Sequence, residues 1–186
     1  MKTKHFPNSD YLRSLAAEAG EIMRRNFCLG MKRVRKDDNT PLTETDTAIN
    51  QLVVDSIRRD YPHVQVIGEE GNYEVAGAEY TVLCDPLDGT IPFCRGIPIS
   101  TFVISVVKRH QPLVAVVYDP FQYRMWYATR GQGAFMNEEP AKVSRHGTLK
   151  HSNICMVWWK GSPFNLHAAC EKLMDAGATW ASPCTI

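Results

Sequence analysis

The sequence predicts a layered α+β fold, with amphipathic helices packed on a mainly antiparallel sheet. Three observations carry this reading. Apolar residues recur at helical spacing in two early segments, short β-branched runs then follow one another at near-regular intervals, and a last helical pattern comes after them.

The first helix is expected from Asp10 to Phe27, with Leu12, Leu15, Ala16, Ala19, Ile22, Met23 and Phe27 on one face. A second should start near Thr45 and stop at Tyr61, because Pro62 follows; its buried stripe is Ile49, Leu52, Val53 and Ile57. The runs VQVI and TVLC, then FVISVV (102–107), LVAVVY (113–118) and RMWYAT (124–129), read as strands. Gln111-Pro112, Asp119-Pro120 and the glycines at 131 and 133 mark turns between them. Such close spacing leaves no room for crossover helices, hence the antiparallel expectation. The solid apolar runs suggest strands buried on both faces. Ser162-Pro163 looks like the start of a last helix, with Leu166, Ala169, Cys170, Leu173 and Met174 inward and a stop at Gly177.

The 186 residues read as one continuous domain without repeats or linkers. A formal net charge of +1 gives no global field to recruit nucleic acid or an anionic membrane, and no apolar stretch reaches membrane-span length. KRVRK (32–36) is the one basic run, and no aromatic platform adjoins it. The start MKTKHFPNSD is not a secretory signal. Six scattered cysteines without a C-x-x-C pair suggest reduced thiols in a cytoplasmic protein, and the dispersed histidines offer no zinc spacing.

The chemistry concentrates in GEEGNYEVAGAEYTVLCDPLDGT (68–90). Glu69 and Glu70 follow one apolar run; Asp85 and Asp88 follow the next. Pro86 makes D-P-L-D-G a rigid turn leaving a strand, in which Asp85 and Asp88 can point the same way. Two crowded negative charges are unfavourable unless one protonates or a cation binds. Mg²⁺ prefers carboxylate oxygen; Glu69 can supply a third carboxylate and Leu87 a carbonyl. Gly89 and Thr90 would then bring backbone N–H groups to a phosphate, with Asp88 as a helix cap. Upstream, KDDNTPLTETD (36–46) places Asp46 where, with Thr90, it could orient an attacking water. Each piece also has a plainer reading. D-P-L-D-G alone is a good turn with a capping aspartate, a Glu-Glu pair alone is a solvated loop, and Asp46 is a favourable charge in a helix's first turn.

Taken jointly and in order, Lys36 to Asp46, Gly68-Glu69-Glu70 and Asp85 to Thr90 resemble the inositol monophosphatase family. AVVYDPFQYRMWYATRGQGAFMN (115–137) echoes a further stretch of that family. The resemblance implies a layered α/β sandwich of the inositol monophosphatase/fructose-bisphosphatase kind and a phosphomonoesterase using two or three Mg²⁺ ions. It implies Glu69, Asp85, the Leu87 carbonyl and Asp88 as metal ligands. Thr90 and Asp46, with Glu69, correspond to the groups activating the nucleophilic water, and the Gly89 and Thr90 amides to phosphate donors. Glu70 and Lys36 would stand behind the ligands. A homodimer and inhibition by Li⁺ are implied on the same ground.

Two departures accompany the resemblance. The family continues T-N-F after D-G-T, where this chain has Ile91-Pro92-Phe93. A later W-D-x-A-A motif of the family has no counterpart, since Trp126, Trp158, Trp159 and Trp180 precede Tyr, Trp, Lys and Ala. The expectation is therefore that residues 1–186 are the N-terminal two-thirds or so of such a domain, with little activity alone. The leading function is Mg²⁺-dependent hydrolysis of a small phosphate monoester of the inositol monophosphate kind. Histidinol phosphate, fructose bisphosphate or a phosphoadenosine nucleotide are alternative substrates, and a non-catalytic metal- and phosphate-binding relative is the alternative class.

Overall fold

The helical stripe that opens the chain forms a helix over nearly its expected length. In the computed structural model, which describes residues 5–28, 33–35, 41–158 and 161–184, α1 is Ser9–Asn26. The Asn8 side chain caps it by accepting from Tyr11 N at 3.0 Å, and Arg24 and Arg25 complement the dipole in its last turn. α2 is Glu44–Asp60, opened by a capping box in which Thr43 and Asp46 exchange hydrogen bonds. β1 (Arg33–Arg35) and β2 (Pro41–Thr43) pair antiparallel ahead of it.

The strands that follow are β3 (Gln65–Gly68), β4 (Asn72–Tyr73), β5 (Tyr80–Asp88), β6 (Thr101–Lys108), β7 (Gln111–Asp119), β8 (Arg124–Thr129), β9 (Gly133–Met136) and β10 (Glu139–Pro140). They form one eight-stranded sheet in the order β10-β9-β8-β7-β6-β5-β3-β4. Its one parallel pairing is β3 with β5; the others are antiparallel, as the spacing predicts. Between β5 and β6 lies α3 (Thr90–Cys94).

The expectation of strands buried on both faces is corrected. In β6, Phe102, Ile104 and Val106 are fully buried while the intervening residues are only half-buried, and Val114, Val116 and Tyr118 of β7 repeat the alternation. α1 and α2 cover the buried face, and Leu12, Ala16, Met23, Ile49, Val53 and Ile57 join its core. Each large aliphatic or aromatic side chain buried there contributes about 1.5–3 kcal/mol. β-branched residues on the other face kept the runs apolar and hid the alternation from the sequence.

The D-P-L-D segment is also not a turn off the strand end. β5 runs on through Asp88, and its register with β6 shifts between Asp85↔Val103 and Asp88↔Thr101. β5 spends one residue more than β6 there, which is a bulge. Pro86 has no N–H to give the ladder, and a bulge is where a sheet tolerates that loss.

The chain groups into two compact units, residues 1–141 and 142–186. In the second, β11 (Asn153–Val157) and β12 (Trp180–Cys184) pair in parallel, joined by α4 (Leu166–Asp175). α4 starts three residues later than Pro163 suggests, because Asn165 supplies the cap by accepting from Ala168 N at 3.0 Å. Leu166, Ala169, Cys170 and Leu173 are half-buried as a stripe, but Met174 is 45% exposed. Gly177, at φ 99°, follows the Ala176 cap and ends the helix where expected. Cys28, Cys84, Cys94 and Cys170 form no disulfide, whereas Cys155 is disulfide-bonded, against the expectation of reduced thiols; its position in the sequence gives no sign of the pairing. No helix among the described residues is long and apolar enough to cross a membrane.

Candidate active site

The bulge in β5 decides where the acids go. Pro86 and Leu87 are buried, so the extra residue turns the segment's two aspartates away from the core, where both stay half-buried. Asp85 Oδ1 accepts from Leu87 N at 3.1 Å, which fixes the carboxyl against its own backbone. Glu69 arrives from the end of β3, its N–H donating to Cys84 O at 3.2 Å across the parallel pair.

These three carboxyls sense one another. Burial, then the charges of Glu69 and Asp88, push Asp85 up to about 7, and Asp85 shares a hydrogen bond with Glu69. Asp88 is also raised, by burial first and by Glu69, against hydrogen bonds from Thr101 and the Gly89 N–H. Beneath them the buried Cys84 thiol is pushed up by desolvation and by the same negative charge. Among the described residues no three His, Cys, Asp or Glu side chains already gather closely enough to hold an ion. The donor set is nonetheless all oxygen, three mutually repelling carboxyls with a carbonyl at Leu87, and that chemistry fits a hard divalent cation.

Asp46 is fully buried at the start of α2. Its Oδ2 accepts from Thr43 N at 2.8 Å and from Thr43 Oγ1 at 2.5 Å. Thr90 Oγ1 stands 3.4 Å from Asp46 Oδ1 and 3.0 Å from Leu87 O, so one hydroxyl faces a buried carboxylate and the carbonyl of the bulge. Burial raises the Asp46 pKa, the Thr43 hydrogen bonds oppose this, and the Glu70 charge adds to the rise. The sequence readings of Asp46 as cap and as partner of Thr90 are thus compatible: one oxygen serves each.

Gly89 is the N-cap of α3 at φ 86°, ψ 41°, a left-handed conformation that favours glycine. A Cβ there would also come within 3.2 Å of Ser100 Oγ, which donates to Gly89 O at 2.8 Å. Asp88 does not cap α3 as expected; the helix has no side-chain cap, because the left-handed glycine turns the chain directly into it. The Ile91-Pro92-Phe93 departure leaves this helix intact. Pro92 falls in the first turn, where its missing N–H removes no intrahelical bond, and Phe93 is fully buried against Phe27 and Phe121.

The structure therefore brings together Asp46, Glu69, Asp85, Leu87, Asp88, Gly89 and Thr90. Glu70 is near enough to act on Asp46, and Lys36 lies outside the described residues. Sequence reasoning missed Thr43, Ser100 and Thr101, each holding one member of the site. Only Thr43 had a signal, the T-x-x-D spacing of a capping box.

A family profile described as the inositol monophosphatase family matches residues 9–171, most of the chain and every residue of this site. The chain belongs to the inositol monophosphatase family. Among its relatives in that family, it is 30% identical over 141 residues to the fructose-1,6-bisphosphatase/inositol-1-monophosphatase of Aquifex aeolicus, covering 75% of this chain and 53% of that protein. To the histidinol-phosphatase of Mycobacterium tuberculosis it is 37% identical over 135 residues, covering 71% and 51%. The crystal structure of the extragenic suppressor protein suhB from Bartonella henselae superposes with a TM-score of 0.82 at 21% identity, covering 92% of this chain and 67% of that one. The last likeness bears on the fold. The chain spans about half the length of the first two relatives.

Proposed function

We propose that this chain belongs to a phosphomonoesterase that hydrolyses a small phosphate ester, of the inositol monophosphate kind, with Mg²⁺. The observation that carries the reading is the meeting of Thr90 Oγ1 with buried Asp46 beside the β5 bulge that bears Asp85 and Asp88. Glu69, Asp85, the Leu87 carbonyl and Asp88 would hold the cations. When bound, Mg²⁺ supplies Lewis-acid stabilisation of phosphoryl oxygens and acidifies water.

The chain's own groups do the rest. Asp46, made more basic by burial, accepts a proton by way of the Thr90 hydroxyl as water attacks phosphorus; the ester P–O bond breaks and the departing alkoxide takes its proton from solvent. The first N–H groups of a helix have no intrahelical partner, so that of Thr90 can donate to a phosphate oxygen, and that of Gly89 can do so once Asp88, which it now faces, turns to a cation. Glu70 stands behind Asp46 and tunes its charge. We further propose that residues 1–186 are the N-terminal part of one inositol monophosphatase-like domain; the family match runs across both compact units. A cytoplasmic homodimer and inhibition by Li⁺ belong to the same reading. Histidinol phosphate and fructose bisphosphate are the other substrates to test, since relatives are named for them.

Titration calorimetry with MgCl₂ tests the core of the proposal. The wild-type chain should bind Mg²⁺, and Glu69→Gln should bind it at least tenfold more weakly, on the order expected when a charged oxygen ligand is lost. Wild-type protein without a binding signal, or Glu69→Gln with undiminished affinity, would count against it.

A further inference from the structure

Glu69 and Glu70 are bracketed by glycines at 68 and 71, and a side chain from α2 occupies the space between those glycines. That side chain is Asn50, 5% exposed and one turn beyond Asp46. Its Nδ2 donates to Gly71 O at 3.2 Å. A Cβ at position 68 would lie 2.1 Å from Asn50 Oδ1, and one at 71 would lie 3.2 Å from Nδ2. The amide seated there therefore excludes a side chain at position 68 and leaves only a tight fit for one at 71. Two further ties complete the loop: Gly68 N donates to Asn72 Oδ1 at 3.2 Å, and Glu69 N to Cys84 O at 3.2 Å.

Asn50 does this at a cost. Its Oδ1 is buried without a hydrogen-bond partner, which costs about 1–3 kcal/mol relative to a satisfied or apolar group. Asn50 also adjoins Ile49 in the buried stripe of α2, where a leucine of nearly the same shape would pack without that penalty. A buried polar group that lowers stability calls for a reason outside stability.

We propose that Asn50 is the positioning residue of the Glu69–Glu70 segment: its amide wedges and tethers the 68–71 loop so that Glu69 is held toward Asp85. It thereby sets the site's cation affinity without touching the cation. The affinity half of this inference rests on the Mg²⁺ reading above; the loop half does not.

The experiment has two arms, both independent of turnover. In metal-free protein, amide exchange followed by NMR should show the Gly68 and Glu69 N–H groups losing protection in Asn50→Ala, and less so in Asn50→Leu, which keeps the wedge and loses the tether. In calorimetry, Asn50→Ala should weaken Mg²⁺ binding by about tenfold, the scale seen when a residue supporting a metal ligand is removed. Val53→Ala, a fully buried change on the same helix, should lower the melting temperature yet leave both readouts near wild type. Unchanged exchange at 68 and 69 in Asn50→Ala overturns the proposal. So does faster exchange with unchanged Mg²⁺ affinity, in a wild type that binds. If wild type binds no Mg²⁺, the proposed function falls and takes the affinity half with it, while exchange still decides the clamp.

Discussion

Asp85→Asn should make the metal-free protein more stable at pH 8 while removing its response to Mg²⁺. Asp85 titrates near 7 in the folded chain because burial and the Glu69 and Asp88 charges oppose its ionised form. A folded-state pKa raised above the ordinary carboxylate value means that ionisation destabilises the fold. The penalty is absent below pH 4, grows as pH rises through about 7, and is complete by pH 8. The rise from 3.8 to about 7 sets a ceiling of about 4 kcal/mol at about 1.36 kcal/mol per unit. Asp85 is only half-buried and titrates together with Glu69, so solvent and the partner carboxyl share the cost, and roughly 1–2 kcal/mol remains to be recovered. For a chain of this length that corresponds to about 2–8 °C. Asparagine keeps the remaining contacts: its carbonyl can accept from Leu87 N, now 3.1 Å from Asp85 Oδ1, and its NH₂ can donate to Glu69. Thermal melts in chelator at pH 5 and pH 8, repeated with saturating MgCl₂, measure both effects. Wild type should gain roughly 2–3 kcal/mol from Mg²⁺ at a hundred times its dissociation constant; the variant should gain little. A variant less stable than wild type at pH 8 in chelator would refute the repulsion argument. A variant with the full Mg²⁺ gain would refute Asp85 as a ligand.

Thr90→Ala should lower kcat by on the order of a hundredfold with little change in KM, because the hydroxyl is assigned to water activation; steady-state kinetics on the active protein decides, and an effect confined to KM would leave Thr90 only a phosphate contact. Thr43→Ala removes the side-chain cap of α2 and the hydroxyl's hydrogen bond to buried Asp46 while keeping the backbone N–H bond, so it should cost about 1–2 kcal/mol in denaturant melts. Gly20→Ala should destabilise by about 1–3 kcal/mol through overpacking, since a Cβ there would sit 2.3 Å from Tyr118 Cε1; a neutral melt would show that α1 can lift off β7 freely.

The helices and strands were legible because their signals are local. The stripe from Leu12 to Met23 and the T-x-x-D cap at Thr43 need no knowledge of distant residues, and α1 and α2 begin within a residue of their expected starts. The site acids were legible as types and in order, since Glu69, Asp85 and Asp88 end or interrupt apolar runs. What the sequence concealed depends on partners far along the chain. Pro86 reads as a turn former until β6 is known to run alongside, and only then is it a bulge. The parallel β3–β5 pairing depends on the connection over residues 69–79, which carries the short β4 and no helix to announce a crossover. Asn50 is a polar residue beside an apolar stripe, and nothing marks it until Gly68 and Gly71 are seen against its amide.

The bulge in β5 also bears on how such a protein can change over generations. Asp85, Leu87 and Asp88 ride on a strand inside the sheet, paired along its length with β6 and up to Cys84 with β3. An insertion or deletion in β5 would slip every residue after it to the wrong face, whereas the surface connections can lengthen or shorten without disturbing the acids. The carboxyl cluster on this scaffold is insulated from drift, and the surrounding loops are free to vary.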